Sequence, residues 1–191
     1  MLRALYGADT FVIDPYQLGD GNAEGIASGA WWFYQKLGFR SDDRATLARM
    51  RKELARGGRS TPATLRALAR TNVYWSAGAR RADVLGRFPL ARLAQAAARE
   101  LARHGSERAC AAAAAAHLGI RLRASQSFER WAPLLLALPG VERWSRAERA
   151  ALARVAEFKG CVDELEYVRA LQQHVPLWRA LCALARVRSS V

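Results

Sequence analysis

Thr10-Phe11-Val12-Ile13, a β-branched and aromatic run closed by Asp14-Pro15, stands ahead of a sequence that otherwise carries mostly helix starts and stops. A short strand cannot stand alone. Its backbone donors and acceptors need partners, and an isolated two-stranded ribbon is marginal in water. The partners that this chain offers are Val73–Trp75, inside the extended-looking stretch Asn72–Ser76, and Ile120–Arg123. Failing those, the pairing comes from a second chain, since an exposed strand edge favours dimerisation, or the chain is a C-terminal fragment of a longer ancestor.

Helical punctuation fills the rest. The loop Gly19–Gly25 leads into a first helix expected at about residues 22–37, capped by Asn22 or Asp20. Ile26, Ala30, Phe33 and Leu37 fall at i, i+4, i+7 and i+11, Gly38 ends the helix and Phe39 packs back. A second helix is expected from Ser41 as N-cap, with Asp42 and Asp43 in its first turn, to Arg56 before Gly57-Gly58. Its apolar stripe is Leu47, Met50 and Leu54. Thr61-Pro62 opens a third helix to about Arg70. From Pro89 to His104, Leu90, Leu93, Ala94, Ala97, Ala98 and Leu101 keep helical spacing up to Gly105. Ser106 restarts a helix through the run Ala111–Ala116 to His117, where alanine favours helix and lets a neighbour approach closely.

Ile120–Ala124 alternates and reads as a brief strand or a linker, and Ser127–Leu138 supplies a further helix ended near Pro139-Gly140. Ser145-x-x-Glu148 is a capping box ahead of Ala151, Leu152, Val155 and Phe158, with Gly160 after the last turn. Val162–His174 and Pro176–Arg188 follow, and Val175-Pro176 either kinks one long helix or separates two. The expected fold is therefore mainly α, a multi-helix bundle with a short N-terminal strand-helix element. The expected boundary is Arg40-Ser41, giving a 1–40 element and a 41–191 helical domain.

At 191 residues the chain is one large or two small domains and buries a sizeable core without staples. Its most hydrophobic late run, Trp131 to Val141, is far short of a membrane span and contains Pro133 and Pro139. No membrane role is expected, and a cytoplasmic location is. Cys110, Cys161 and Cys182 are odd in number and share no close spacing, which argues for small buried groups over a disulfide framework. His104, His117 and His174 are isolated from one another and from those cysteines, so no metal site is expected.

The formal charge of +13 raises the question of phosphate binding. Residues 61–140 hold most of the excess, with 12 basic against 4 acidic groups. Arg80, Arg81, Arg92, Arg99, Arg103, Arg108, Arg121 and Arg123 are candidates there, although a solvated helix face is the favoured reading of such residues. Nucleic acid is the least favoured partner, because no recognition motif accompanies the charge.

One stretch carries a family signature: Phe33-Tyr34-Gln35-Lys36-Leu37-Gly38-Phe39-Arg40, following the β-like run. It resembles the strand-then-helix element of GNAT-type N-acetyltransferases, in which an FYxKLGF helix end lies beside the thiol arm of acetyl-coenzyme A. The resemblance covers residues 10–40. It implies acetyl-CoA or another acyl-CoA as cofactor, and it implies that Tyr34 acts as general acid toward the departing thiolate. A phenol, with an ordinary pKa of about 10, is protonated at neutral pH and suited to that step. Six positions before Tyr34, near where the family places an Asn, the residue is Ser28.

Gln17-x-Gly19-x-Gly21 is one residue short of the family's pyrophosphate loop and precedes a helix start, which implies Gly19, Gly21, Asn22 and Ser28 as cofactor contacts. The same residues also fit a plain glycine turn and a buried aromatic helix. An acetyltransferase needs more strands than precede this element, so a homodimer or a larger acyltransferase partner is a further expectation. The alternative is a non-catalytic helical interaction module.

Overall fold

β3 (Val73–Ser76) is the central strand of an antiparallel sheet, with β1 (Thr10–Ile13) on one side and β2 (Arg40–Ser41) on the other. The computed structural model describes residues 3–4, 7–57, 60–121, 125–159 and 163–188. Register runs Thr10 opposite Ser76 through Ile13 opposite Val73, and β2 sets Arg40 and Ser41 opposite Tyr74 and Val73. The strand at Thr10–Ile13 thus takes the first of its expected partners. Phe11 and Trp75 pack across the pair as tilted rings with centroids 5.7 Å apart, a cross-strand contact of the kind that holds small sheets.

The chain divides into two units, Met1–Gly86 and Arg87–Val191, and not at Arg40-Ser41. A cut at the expected boundary would fall inside β2 and split a three-stranded sheet, whose ladder bonds make it one body. Among the described residues, eleven α-helices surround or follow these three strands, so the fold is mainly helical.

In the first unit, α1 (Pro15–Leu18) starts with Asp14 accepting the Gln17 amide and Pro15 in its first turn. The single helix expected over residues 22–37 is two: α2 (Ala23–Ala27), capped by Asn22, and α3 (Ala30–Lys36). Gly29 breaks it by adopting φ +67, a left-handed conformation that costs glycine nothing. The break rotates the aromatic residues away from a continuous stripe. Trp31 is buried, whereas Phe33 and Leu37 are more than half exposed.

Chain reversal at Gly38 proceeds as the sequence indicates: the Phe39 amide donates to the Tyr34 carbonyl and the Phe39 ring packs edge-on to Tyr34. α4 (Arg44–Arg56) begins at Asp43, whose carboxylate accepts the Ala45 and Thr46 amides. Ser41, the expected cap, instead lies buried in β2, where its hydroxyl accepts the Asp43 amide and bonds Thr71 at 2.9 Å. α5 (Pro62–Ala69) starts at Thr61-Pro62 as read from the sequence. Leu18, Trp31, Met50, Leu68, Ala69 and Val73 form this unit's core. Fully burying a side chain the size of Leu68 contributes about 1.5–3 kcal/mol.

The second unit is a helical set: α6 (Leu90–His104), α7 (Glu107–Leu118), α8 (Gln126–Ala137), α9 (Arg146–Phe158), α10 (Glu164–Gln173) and α11 (Val175–Ala185). In α7, Cys110, Ala111, Ala114, Ala115 and Leu118 turn inward at helical spacing, so the alanine run is a close-packing face. On α6, Leu93 and Leu101 pack on the core, but Leu90 at the start of the expected stripe is exposed.

Phe128, Leu135, Leu152 and Leu177 complete a continuous core from α8, α9 and α11. The capping box forms: Glu148 accepts the Ser145 amide at 2.7 Å, and Ser145 Oγ accepts the Glu148 amide at 3.2 Å. Val175-Pro176 separates two helices, and His174 both ends α10 and caps α11. Gly58, Gly160, Cys161, Val162 and the Leu122–Ala124 half of the alternating run lie outside the described residues. No helix of the described chain is long and apolar enough to cross a membrane.

Candidate functional site

In the first unit a cleft of about 630 Å³ opens where α2, α3, α4 and α5 meet. Small-molecule sites commonly have this size. The helix break creates it. Because Ser28 caps α2 and Gly29 turns the chain, Trp32 and Lys36, one turn apart on α3, face across to Glu53 and Leu54 of α4. Trp32 Nε1 donates to Ser60 Oγ at 3.0 Å, which fixes the indole as one wall. Glu53 is held by Arg56 at 3.3 Å. Lys36 has no carboxylate partner among the described residues. The cleft therefore combines apolar surface with one unneutralised ammonium.

The residues singled out in the sequence do not all gather there. Ser28 does, with its hydroxyl donating to the Gly25 carbonyl at 3.3 Å and its lone pairs left to accept. Gly19, Gly21 and Asn22 form the turn between α1 and α2. Asn22 is occupied at both ends of its amide, accepting the Gly25 amide and donating to the Tyr16 carbonyl.

Gly19 is buried beside Gly25: a Cβ at Gly25 would sit 2.9 Å from the Gly19 Cα. Close approach of the two backbones thus accounts for Gly25, whereas Gly19 is required by its φ of +118 and by Ile26 Cδ1, which a Cβ there would meet at 2.6 Å. Tyr34 does not line this cleft. It is half-buried between Phe33 and Phe39, at ring separations of 5.3 and 5.6 Å, and among the described residues nothing hydrogen-bonds its hydroxyl. Trp32 and Lys36 sit in the motif, yet Glu53 and Ser60 enter the cleft only through the packing of α4 and α5 on α3. No local spacing signals that.

Several basic residues considered for phosphate contact are engaged internally. Arg80 pairs with Asp42. Arg81 forms a two-point pair with Asp83, at 2.8 and 3.0 Å, and reaches Asp9 at 3.3 Å. The hydrogen bonds that Arg81 donates to the Asp83 carboxylate hold its guanidinium firmly charged. Arg103 pairs with Glu100, and Arg123 lies outside the described residues.

The segment 61–140 is itself divided at Gly86. Among the described residues no three His, Cys, Asp or Glu side chains are grouped for a metal ion. Burial pushes the Cys110 thiol above its ordinary range, so the thiol form persists at neutral pH. No family model matches the chain, and no curated protein or solved structure does either.

Proposed function

We propose that the first unit is an acyl-coenzyme A-binding module of acetyltransferase-like kind, and that the cleft between α3 and α4 takes the thioester arm. The observation that carries this reading is the shared face of Trp32 and Lys36 on the FYxKLGF helix, opposite Ser28. An acyl-pantetheine arm is slender and largely apolar, with amide groups that pair with hydroxyls such as Ser28, and it ends in phosphates that favour an ammonium such as Lys36. Tyr34 remains the proposed proton donor to a departing thiolate. Its packing against Phe39 places it on another face of α3, so the role requires the acyl end to reach around the helix tip.

Thermal denaturation of the full chain with acetyl-coenzyme A tests the binding. A ligand at 100 times its Kd adds about 2.7 kcal/mol of stability. Lys36→Glu and Trp32→Ala are expected to remove the shift, and Tyr34→Phe to leave it intact while abolishing any thiol release. The reading fails if a saturating ligand produces no stabilisation.

A second reading rests on exposed apolar side chains in the same unit. Phe33, Leu37 and Tyr16 are 58%, 54% and 63% exposed, and β1 is an outer strand of the sheet. A non-catalytic interaction module, pairing with its own copy or with a larger acyltransferase, follows from that surface. Light scattering of the parent chain and a Phe33→Ser, Leu37→Ser variant separates the two: a strictly monomeric parent removes the homodimer.

A further inference from the structure

The second unit holds a cleft of about 460 Å³ with a different chemistry. Arg92, Gln95 and Arg99 of α6 line one side, and Leu184 and Arg186 at the end of α11 line the other, with Pro139 closing it. Three arginines line this space, and among the described residues no carboxylate does. Glu100, the acid nearest in sequence, is taken up by Arg103 at 2.8 Å and His104 at 3.8 Å. Arg92 is fixed by donating to the Ala185 carbonyl at 2.9 Å. Arg99 and Arg186 have no carboxylate partner among the described residues. Like charges facing one another across a cleft repel, and a bound anion relieves that repulsion.

Arg186 adds a separate observation. Among the described residues it is the single non-glycine residue with positive φ, at +55°. It occupies the C-cap of α11, where its amide donates to Cys182 and Ala183 carbonyls. Glycine would make those bonds without the steric cost that a Cβ brings to this conformation. The helix end therefore does not need an arginine, whereas the cleft wall gains a guanidinium.

We propose that this cleft is an oxyanion site for a small organic phosphate or carboxylate, with Arg99 and Arg186 as the ion-binding groups and Leu184 and Pro139 against the organic body. Arginine suits planar, two-point recognition of either anion. The site is independent of the acyl-thioester cleft in the first unit.

Calorimetric titration of the full chain with phenyl phosphate and with benzoate, using benzyl alcohol as the neutral control, tests the site. Saturable binding is expected for the anions alone, weakening as salt is raised. Arg99→Gln and Arg186→Gly should each lower affinity about tenfold or more, the scale of one charge-assisted hydrogen bond. Arg186→Gly should also melt at or above the parent temperature, because strain is relieved, so its loss of binding cannot be ascribed to unfolding. Lys36→Glu should bind both anions as the parent does, which distinguishes this cleft from the other. Absence of saturable binding, or affinity in both arginine variants equal to that of the parent, overturns the proposal. So does a result in which duplex DNA binds and loses affinity in those variants while the small anions do not bind, which would assign the arginines to a nucleic-acid backbone.

Discussion

His174 Nε2 lies 2.8 Å from the backbone carbonyl oxygen of Glu148, 26 residues earlier in the chain. The other ring nitrogen, Nδ1, accepts the Leu177 amide at 3.0 Å. Accepting at Nδ1 puts the proton on Nε2, which therefore donates to Glu148. One imidazole thus caps α11 and ties the α10–α11 junction to the first turn of α9. Trp144 covers the ring, with centroids 5.3 Å apart.

Replacing this histidine separates its two bonds. His174→Ala is expected to cost about 2 kcal/mol, the sum of a lost cap and a lost side-chain hydrogen bond to the Glu148 carbonyl. His174→Asn puts a capping oxygen in place of Nδ1 but is too short to reach Glu148, and should lose about half as much. Amide hydrogen exchange at Leu177 checks it: faster exchange in the alanine variant than in the asparagine variant is the expected order. Equal exchange in both would show that the cap contributes nothing.

Glu148 links the same turn to pH. Hydrogen bonds from the Ser145 amide, then from its hydroxyl, hold the Glu148 carboxyl below the ordinary glutamate range, despite some opposing desolvation. A folded-state pKa below the unfolded one means that this contribution is fully present above the unfolded value, about 4.5, and disappears as pH falls through the lower folded value. Chemical denaturation of the parent from pH 6 downward should show stability declining below about pH 4.5. Glu148→Gln should flatten that part of the profile, and an unchanged slope in the variant would remove Glu148 as a source.

The glycine turn before α2 makes a sharp contrast between neighbours. Gly25→Ala places a methyl 2.9 Å from the Gly19 Cα, backbone against backbone, and should destabilise the first unit by about 1–3 kcal/mol. Gly21→Ala meets nothing within 4 Å and carries only the strain of φ +69, about 1 kcal/mol. Melting temperatures in that order support close packing as the reason for Gly25. A reversed order would mean that the turn repacks freely.

Arg81 and Asp83 pin the segment after β3 to the start of β1 through Asp9. The Asp83 side chain is fully buried and that of Arg81 is 26% exposed, so removing one partner leaves a partly buried charge. Asp83→Asn should cost about 2–3 kcal/mol. Arg81→Lys should also destabilise, because an ammonium cannot reproduce two parallel bonds to one carboxylate. A double-mutant cycle measures the coupling, and a coupling near zero would reduce the pair to a surface ornament.

Local chemistry was readable before any coordinates. Thr61-Pro62, Ser106, the Ser145–Glu148 box and the stops at Gly38, Gly57 and Gly105 all act within four or five residues, so the chain itself states them. The requirement that Thr10–Ile13 find a strand was equally plain, since backbone groups must be paired wherever they lie, and Val73–Trp75 was one of two candidate partners within the chain.

What remained hidden depended on which elements touch. The left-handed turn at Gly29 splits an apparently continuous helix and sends Phe33 and Leu37 outward. The crossing of α3 with α4 and α5 brings Glu53 and Ser60 beside Trp32. Only folding sets Arg186 across from Arg99, 87 positions away in the chain. Caps and turns are decided by short-range hydrogen bonds that a sequence spells out. Clefts are decided by long-range packing, where many weak contacts compete and no single residue announces the outcome.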